Sequence, residues 1–248
     1  MGEGKAILRG RRVVITGATR GIGRAIALEF SKESASLVLV GRDKAKLEEV
    51  ASSCQKAGAE DVACLQGDAT VPDFASKVAE HMAGRVDVLV NSAGMTSKED
   101  QCDKIFEADV ETWEKMVTLN LLVPMKLTHA LGPSLAHSQA GGHIINISSV
   151  AGLRASKYNA AYSASKWGLT GWSKACFEEL REHNIRVTTI FPAYVSSDMT
   201  RAVPIDNAKM ITPEDVAEAA LLPFQMSDNA CPTEIVIGNT EPLKKPQQ

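Results

Sequence analysis

The chain has 248 residues, 44% hydrophobic and 23% charged, with 27 basic against 30 acidic side chains for a net charge of −3. That composition excludes a disordered tail, a collagenous rod and a small disulfide scaffold. The near-balance of charge argues against nucleic acid as a partner, because no broad positive field is available to neutralise phosphates.

The first twelve residues carry Lys5, Arg9, Arg11 and Arg12 but no apolar core, and read as a solvated arm rather than a presequence. Gly2 is not a myristoylation site, since position 6 is Ala. Val13 to Ile15 is the first strand candidate and ends at Gly17. A helix is predicted over 21–33, with Ile22, Ile26 and Phe30 four apart on one face. Leu37 to Val40 is a second buried run, followed by a charged helix from Asp43 to Lys56. Val62 to Leu65 and Val86 to Val90 are further runs, separated by a helical stretch from about Pro72. A long helix is predicted from Glu111 to Ala136, bent or interrupted at Pro124 and Gly132-Pro133. Ile144 to Ile147, a helix from Asn159 to Glu182, Val187 to Phe191 and Glu234 to Ile237 complete the series.

Continuous apolar runs suit strands covered on both faces. Their alternation with helices predicts right-handed crossovers and a parallel sheet. The expected architecture is therefore one doubly wound α/β domain over 1–248, with seven parallel strands and helices on both faces. Asn239 to Gln248 has little apolar content and reads as a mobile tail. No apolar run approaches the ~20 residues of a membrane span. The cysteines at 54, 64, 102, 176 and 231 are odd in number and never spaced C-x-x-C. They read as free thiols of a reducing compartment, the cytoplasm or an organelle matrix. The histidines at 81, 129, 137, 143 and 183 form no H-E-x-x-H pattern, so no metal site is expected.

Three segments carry chemistry. Gly17, Thr19, Arg20, Gly21, Ile22 and Gly23 lie between the first strand and its helix, spaced G-x-x-x-G-x-G. Glycines there let the backbone approach a pyrophosphate, and the helix N-terminus supplies amide donors. The second strand ends in Val40-Gly41-Arg42, with no acid at its tip to repel a 2′-phosphate. Arg42, aided by Arg20, points to NADP(H) over NAD(H), while Asp43 either pairs with Arg42 or caps the next helix. Finally, Tyr162 and Lys166 stand one helical turn apart, where a nearby ammonium would lower the phenol pKa. Ser149, thirteen residues before Tyr162 at the end of a buried strand, is placed to hold a substrate oxygen. Its neighbour Ser148 is the alternative, pointing the opposite way.

Together, Thr16 to Gly23, Asn91-Ser92-Ala93-Gly94, Asn120, Ser149, and Tyr162 with Lys166 resemble the short-chain dehydrogenase/reductase family, single-domain branch, from Leu8 to Ile237. The resemblance implies a Rossmann-type NADP(H)-binding domain. It makes Tyr162 the general acid or base, Lys166 its modulator and a ligand of the nicotinamide ribose, and Ser149 the holder of the carbonyl or hydroxyl oxygen. Asn120 would support a water joining Lys166 to solvent. Asp68 and Ala69 would meet the adenine end, Asn91, Ala93 and Gly94 would line the cofactor cleft, and Pro192 to Val195 would flank the nicotinamide. Two positions depart from the family pattern: Ser92 replaces a second asparagine, and Ala193 replaces the glycine after Pro192. Alanine would be strained if that backbone required a positive φ.

Similarity is greatest to 3-oxoacyl-(acyl carrier protein) reductases and related carbonyl reductases. The family's substrate lid falls on Ser196 to Ile211, with Met199, Val203, Pro204, Ile205 and Met210 as its apolar side chains. Glu234 to Asn239 is more like 3-hydroxy acid dehydrogenases of the same family. The expected substrate is a small-molecule or acyl-thioester carbonyl, free or on an acyl carrier protein, with no nucleic acid and no membrane. Arg9, Arg11, Arg12 and Arg154 are either a docking patch for an acidic carrier or merely a solvated basic surface. A homodimer or homotetramer is expected through the long helices, with Trp167, Leu169, Trp172 and Phe177 divided between interface and core. The alternatives are a broad carbonyl or diketone reductase, a 3-hydroxy acid dehydrogenase, an epimerase retaining NAD, or an NADPH sensor without turnover. The epimerase lacks room for its usual extra domain, and the complete Asn120, Ser149, Tyr162 and Lys166 set opposes the sensor.

Overall fold

A computed structural model describes residues 6–97, 104–155, 157, 159–201 and 206–241. Lys5, Cys102, Val203, Pro204 and Ile205 lie outside the described residues. Seven strands form one parallel sheet: β1 (Arg12–Thr16), β2 (Ser36–Gly41), β3 (Asp61–Gln66), β4 (Val88–Asn91), β5 (Gly142–Ile147), β6 (Ile185–Pro192) and β7 (Glu234–Ile237). Their spatial order is β3-β2-β1-β4-β5-β6-β7. The chain therefore runs outward from β1 to β3 and returns to place β4 on the other side of β1. That reversal opens a crevice at the carboxyl ends of β1 and β4, where α/β sheets bind ligands.

The continuous apolar runs follow from double cover. In β1, Val13 and Ile15 join the core beneath α1 (Gly21–Lys32) and α7 (Pro213–Gln225), whereas Val14 joins the opposite core with α3 (Phe74–Met82), α5 (Val123–Ala136) and α6 (Ala160–Leu180). Ile26 and Phe30 of α1 are fully buried, as their spacing predicts. Asp43 caps α2 (Lys44–Ala57) by accepting the Lys46 amide, which decides its role against a pair with Arg42.

Two expectations change. The N-terminal arm is folded from residue 6 onward: Leu8 is fully buried, and the Ile7 amide donates to the Glu33 carboxylate at 2.8 Å. Ala6-Ile7-Leu8 is too short a run to show a period, so only the burial of Leu8 reveals it. The predicted long helix is three segments: α4 (Val110–Val117), a π-helical turn over Thr118–Leu122, and α5. Pro124 has no N–H, so the Asn120 carbonyl cannot receive the usual bond from four residues on. The Val123 amide instead reaches back five residues to Thr118. Pro133, by contrast, sits inside α5 without ending it.

Candidate active site

The glycine loop is fixed by close backbone packing. Gly17 has φ +69°, and a Cβ there would stand 2.9 Å from the Cα of Ala93. A Cβ on Gly23 would stand 2.4 Å from the Gly17 carbonyl oxygen. Gly21, with φ +52°, has open space beside it instead, its nearest neighbour being the Ser197 Cβ at 4.0 Å. Arg20 occupies the N-cap of α1 without a capping bond from its side chain, so no side chain at that position occupies the first-turn amides. This cradle of bare amides and positive-φ glycines suits a pyrophosphate. Ile22 packs on the core, and the Thr19 methyl would lie 2.7 Å from a Cβ at Gly41. Gly41 is therefore held by Thr19 rather than by the ligand.

Thr16, not singled out from sequence beyond opening the glycine motif, locks the cleft's second wall. Its Oγ1 accepts from the amides of Ser92 and Ala93, both at 3.1 Å. Asn91 donates to Asn146 at 2.8 Å, Asn146 donates to Ser173 at 2.9 Å, and the Asn91 Oδ1 is buried without a partner. This chain ties β4, β5 and α6 together where the crevice opens. Only long-range contacts define it, which is why Asn146 and Ser173 escape sequence reading.

Two cations border the far end. Arg20 is engaged by Asp198 at 2.8 Å. Arg42 is exposed and makes no ion pair among the described residues. Asp68 is held below the usual carboxylate range by the Thr70 amide and hydroxyl, with Arg42 adding a smaller pull in the same direction. Ala69 leans on the α3–α5 core.

At the end of β5 the two serines part. Ser148 is buried against α6, its Oγ 3.4 Å from both the Lys166 carbonyl and the Thr170 hydroxyl. Ser149 accepts the Ala151 amide at 3.1 Å, donates toward the Pro192 carbonyl at 3.5 Å, and lies near enough to the Tyr162 phenol to lower its pKa. Strand alternation thus selects Ser149. Burial pushes the Tyr162 phenol above its usual pKa, and Ser149 pulls it back. Lys166 is the neighbour that the four-residue spacing predicts. The ammonium stands 5.7 Å from the ring centroid and donates to the Ile147 carbonyl at 2.9 Å. Lys166 is itself pushed down to about 8 by burial.

Asn120 is fully buried on the π turn. Its side chain accepts from the Met95 amide at 2.8 Å and donates to the Met95 carbonyl and to Ser165 at 2.9 and 3.0 Å. Ser165 in turn donates to the Tyr162 carbonyl at 2.7 Å, a link sequence reading missed. A Cβ on Gly94 would meet Asn120 Oδ1 at 3.3 Å and Lys166 Nζ at 3.7 Å, so these two groups flank the same glycine.

Pro192 ends β6, and Val195 is buried and bridged to Ile211. Ala193 is not among the described residues with positive φ, so alanine there is unstrained. Met199 is exposed while Met210 is buried. Arg9, Arg11 and Arg12 lie before or at the start of β1, at the opposite end of the sheet from Arg154, which follows β5. The four do not form one docking patch. Leu169 is core and Trp167 is half exposed.

The sheet order, the glycine cradle and the Ser–Tyr–Lys cluster together define a dinucleotide-dependent oxidoreductase site. The family model described as short chain dehydrogenase matches residues 11–208, and the chain belongs to this family. An uncharacterised oxidoreductase of Staphylococcus saprophyticus is 33% identical over 93% of this chain and 97% of its own. A metagenomic short-chain oxidoreductase solved in complex with NADP is 33% identical, with a TM-score of 0.80 over 93% of this chain and 98% of that one. A 3-oxoacyl-(acyl-carrier protein) reductase from Brucella melitensis, solved with NAD, is 26% identical, with a TM-score of 0.83 over 94% and 91% of the two chains. Among the described residues, no helix is long and apolar enough to cross a membrane.

Proposed function

We propose that this protein is an NADPH-dependent reductase that converts a carbonyl to an alcohol, with 3-oxoacyl thioesters, free or on an acyl carrier protein, as its substrates. One observation carries the reading: the buried Lys166 ammonium stands 5.7 Å from the Tyr162 ring centroid and is bonded to Ile147 at the end of β5, two residues before Ser149. The cofactor reading is supported by the fit of the cradle, by Arg42, which makes no ion pair among the described residues, and by the NADP held in the metagenomic relative. The substrate reading is supported by likeness to the Brucella reductase.

A nicotinamide dinucleotide supplies the hydride when bound. Gly17, Thr19, Gly21, Ile22 and Gly23 would hold its pyrophosphate, and Arg42, with Arg20, would take the 2′-phosphate. Asp68 and Ala69 would border the adenine end, Asn91, Ala93 and Gly94 would line the cleft, and Pro192 and Val195 would flank the nicotinamide. Ser149 donates a hydrogen bond to the carbonyl oxygen and Tyr162 gives that oxygen its proton. Lys166, titrating near 8, is poised to return a proton at neutral pH and to stabilise the phenolate. Asn120 is a positioning residue. Its side chain is held by Met95 and Ser165, and it would support a water joining Lys166 to solvent. The exposed Leu122 and Trp167 fit a homodimer or homotetramer face.

The test is cofactor oxidation by the purified protein, NADPH and NADH in parallel, against acetoacetyl thioesters, diketones and quinones. Thioester turnover preferring NADPH is expected. Turnover of diketones or quinones alone would replace the substrate reading with a general carbonyl reductase. Tight NADPH binding with no turnover of any would overturn the enzyme reading.

A further inference from the structure

Glu234 to Asn239, which differs from the 3-oxoacyl reductases in sequence, carries an unassigned device in the structure. The β6–β7 ladder ends where the Ala193 amide donates to the Ile237 carbonyl at 2.9 Å. Beyond it, Asn239 continues the ladder with its side chain. Its Oδ1 accepts the Tyr194 amide at 3.2 Å, and its Nδ2 donates to the Tyr194 carbonyl at 3.2 Å. A carboxamide carries the same donor and acceptor as a peptide group, so it serves as one more strand residue. The second Nδ2 hydrogen donates to the Lys209 carbonyl at 3.1 Å.

That last bond spans the segment between β6 and α7. Its start, Tyr194 to Ser196, pairs with its end: the Ile211 amide donates to Tyr194 at 2.9 Å, and the Ser196 amide donates to Ile211 at 2.8 Å. Asn239 therefore clamps both ends of this loop, and Glu241 adds a 2.7 Å ion pair to Lys209. The geometry points to Asn239 as a positioning residue for the carbonyl substrate, setting the backbone at Tyr194 beside Pro192 and Val195. This rests on the proposed function, in which that backbone flanks the reacting ring. Aspartate keeps the acceptor but loses both donor bonds and turns a carboxylate toward two carbonyls. Alanine loses all three bonds.

The test measures two things on the full chain and on Asn239→Ala and Asn239→Asp: amide hydrogen exchange at Tyr194 and Ile211, and steady-state KM and kcat for the carbonyl with NADPH. In Asn239→Ala, exchange at Tyr194 should quicken about fivefold, the worth of one net hydrogen bond. The carbonyl KM should rise about as much, with kcat and NADPH affinity within about twofold. Asn239→Asp should raise KM at least as far. Unchanged exchange at both amides overturns the clasp. Faster exchange with unchanged KM overturns the positioning role and leaves a merely structural bond. If the wild-type protein reduces no carbonyl, the proposed function fails on its own terms. The exchange rates then still decide the clasp: faster in Asn239→Ala supports it, equal overturns it.

Discussion

The Lys166 ammonium donates a 2.9 Å hydrogen bond to the carbonyl of Ile147, the last residue of β5. A buried cation is thus moored to the strand that delivers Ser149 two residues later. The mooring satisfies one donor of an ammonium that is only 4% exposed and has no carboxylate partner among the described residues. Burial outweighs it and pushes Lys166 down to about 8.

This has a consequence for stability. The unfolded chain holds the Lys166 proton up to 10.5, the folded chain only to about 8. Between these values the unfolded state binds more protons, so stability rises with pH through that window, and the cost of the buried charge is fully present below it. Lys166→Met should therefore stabilise the fold by roughly 2 kcal/mol near pH 7 and by much less near pH 10, while abolishing turnover. Urea denaturation of both proteins at the two pH values checks this. An equal difference at both would contradict it.

Thr16 makes a second prediction. It is 2% exposed, and its hydroxyl is the acceptor for the Ser92 and Ala93 amides. Thr16→Val keeps the shape and leaves two donors bare, at a cost of about 1–3 kcal/mol. Loss of NADPH affinity should accompany it, since that backbone walls the cleft. Calorimetric melting and cofactor titration read both effects.

Gly23→Ala tests the cradle. The added Cβ would stand 2.4 Å from the Gly17 oxygen, which is backbone and cannot swing aside. Overpacking of this kind costs about 1–3 kcal/mol. Dinucleotide binding should fall by more than about tenfold, because the loop itself must shift. Fluorescence titration with NADPH measures it.

Much of this was legible in the sequence. Double cover made β1, β2, β4, β5 and β6 continuous apolar runs, so their existence could be read directly, whereas their spatial order is a property of the folded sheet. Alternation at the end of β5 separated Ser148 from Ser149, and the four-residue spacing put Tyr162 and Lys166 on one face of α6. What stayed hidden depended on partners distant in the chain. Leu8 has no periodic neighbours, Thr16 acts on backbone 76 and 77 residues away, and Asn239 on backbone 45 and 30 residues away. Burial raises the Tyr162 phenol and lowers the Lys166 ammonium, and spacing along a helix does not reveal either shift.

Arg42 and Asp43 separate cofactor choice from stability. Arg42→Ala should weaken NADPH about tenfold or more and NADH little, since a charge-assisted phosphate contact is worth about 1.5–3 kcal/mol. Asp43→Ala should cost about 1 kcal/mol of stability through the lost cap, without changing the preference. Parallel titrations with both cofactors, with melting curves, distinguish the two.

In the proposed reaction Tyr162 supplies the proton at the carbonyl oxygen. The most direct measurement compares wild-type protein with Tyr162→Phe for NADPH affinity and for thioester-dependent NADPH oxidation in one buffer. Affinity should stay within about twofold and turnover should fall by at least about a hundredfold, the scale of general acid catalysis. Wild-type turnover in Tyr162→Phe would contradict it.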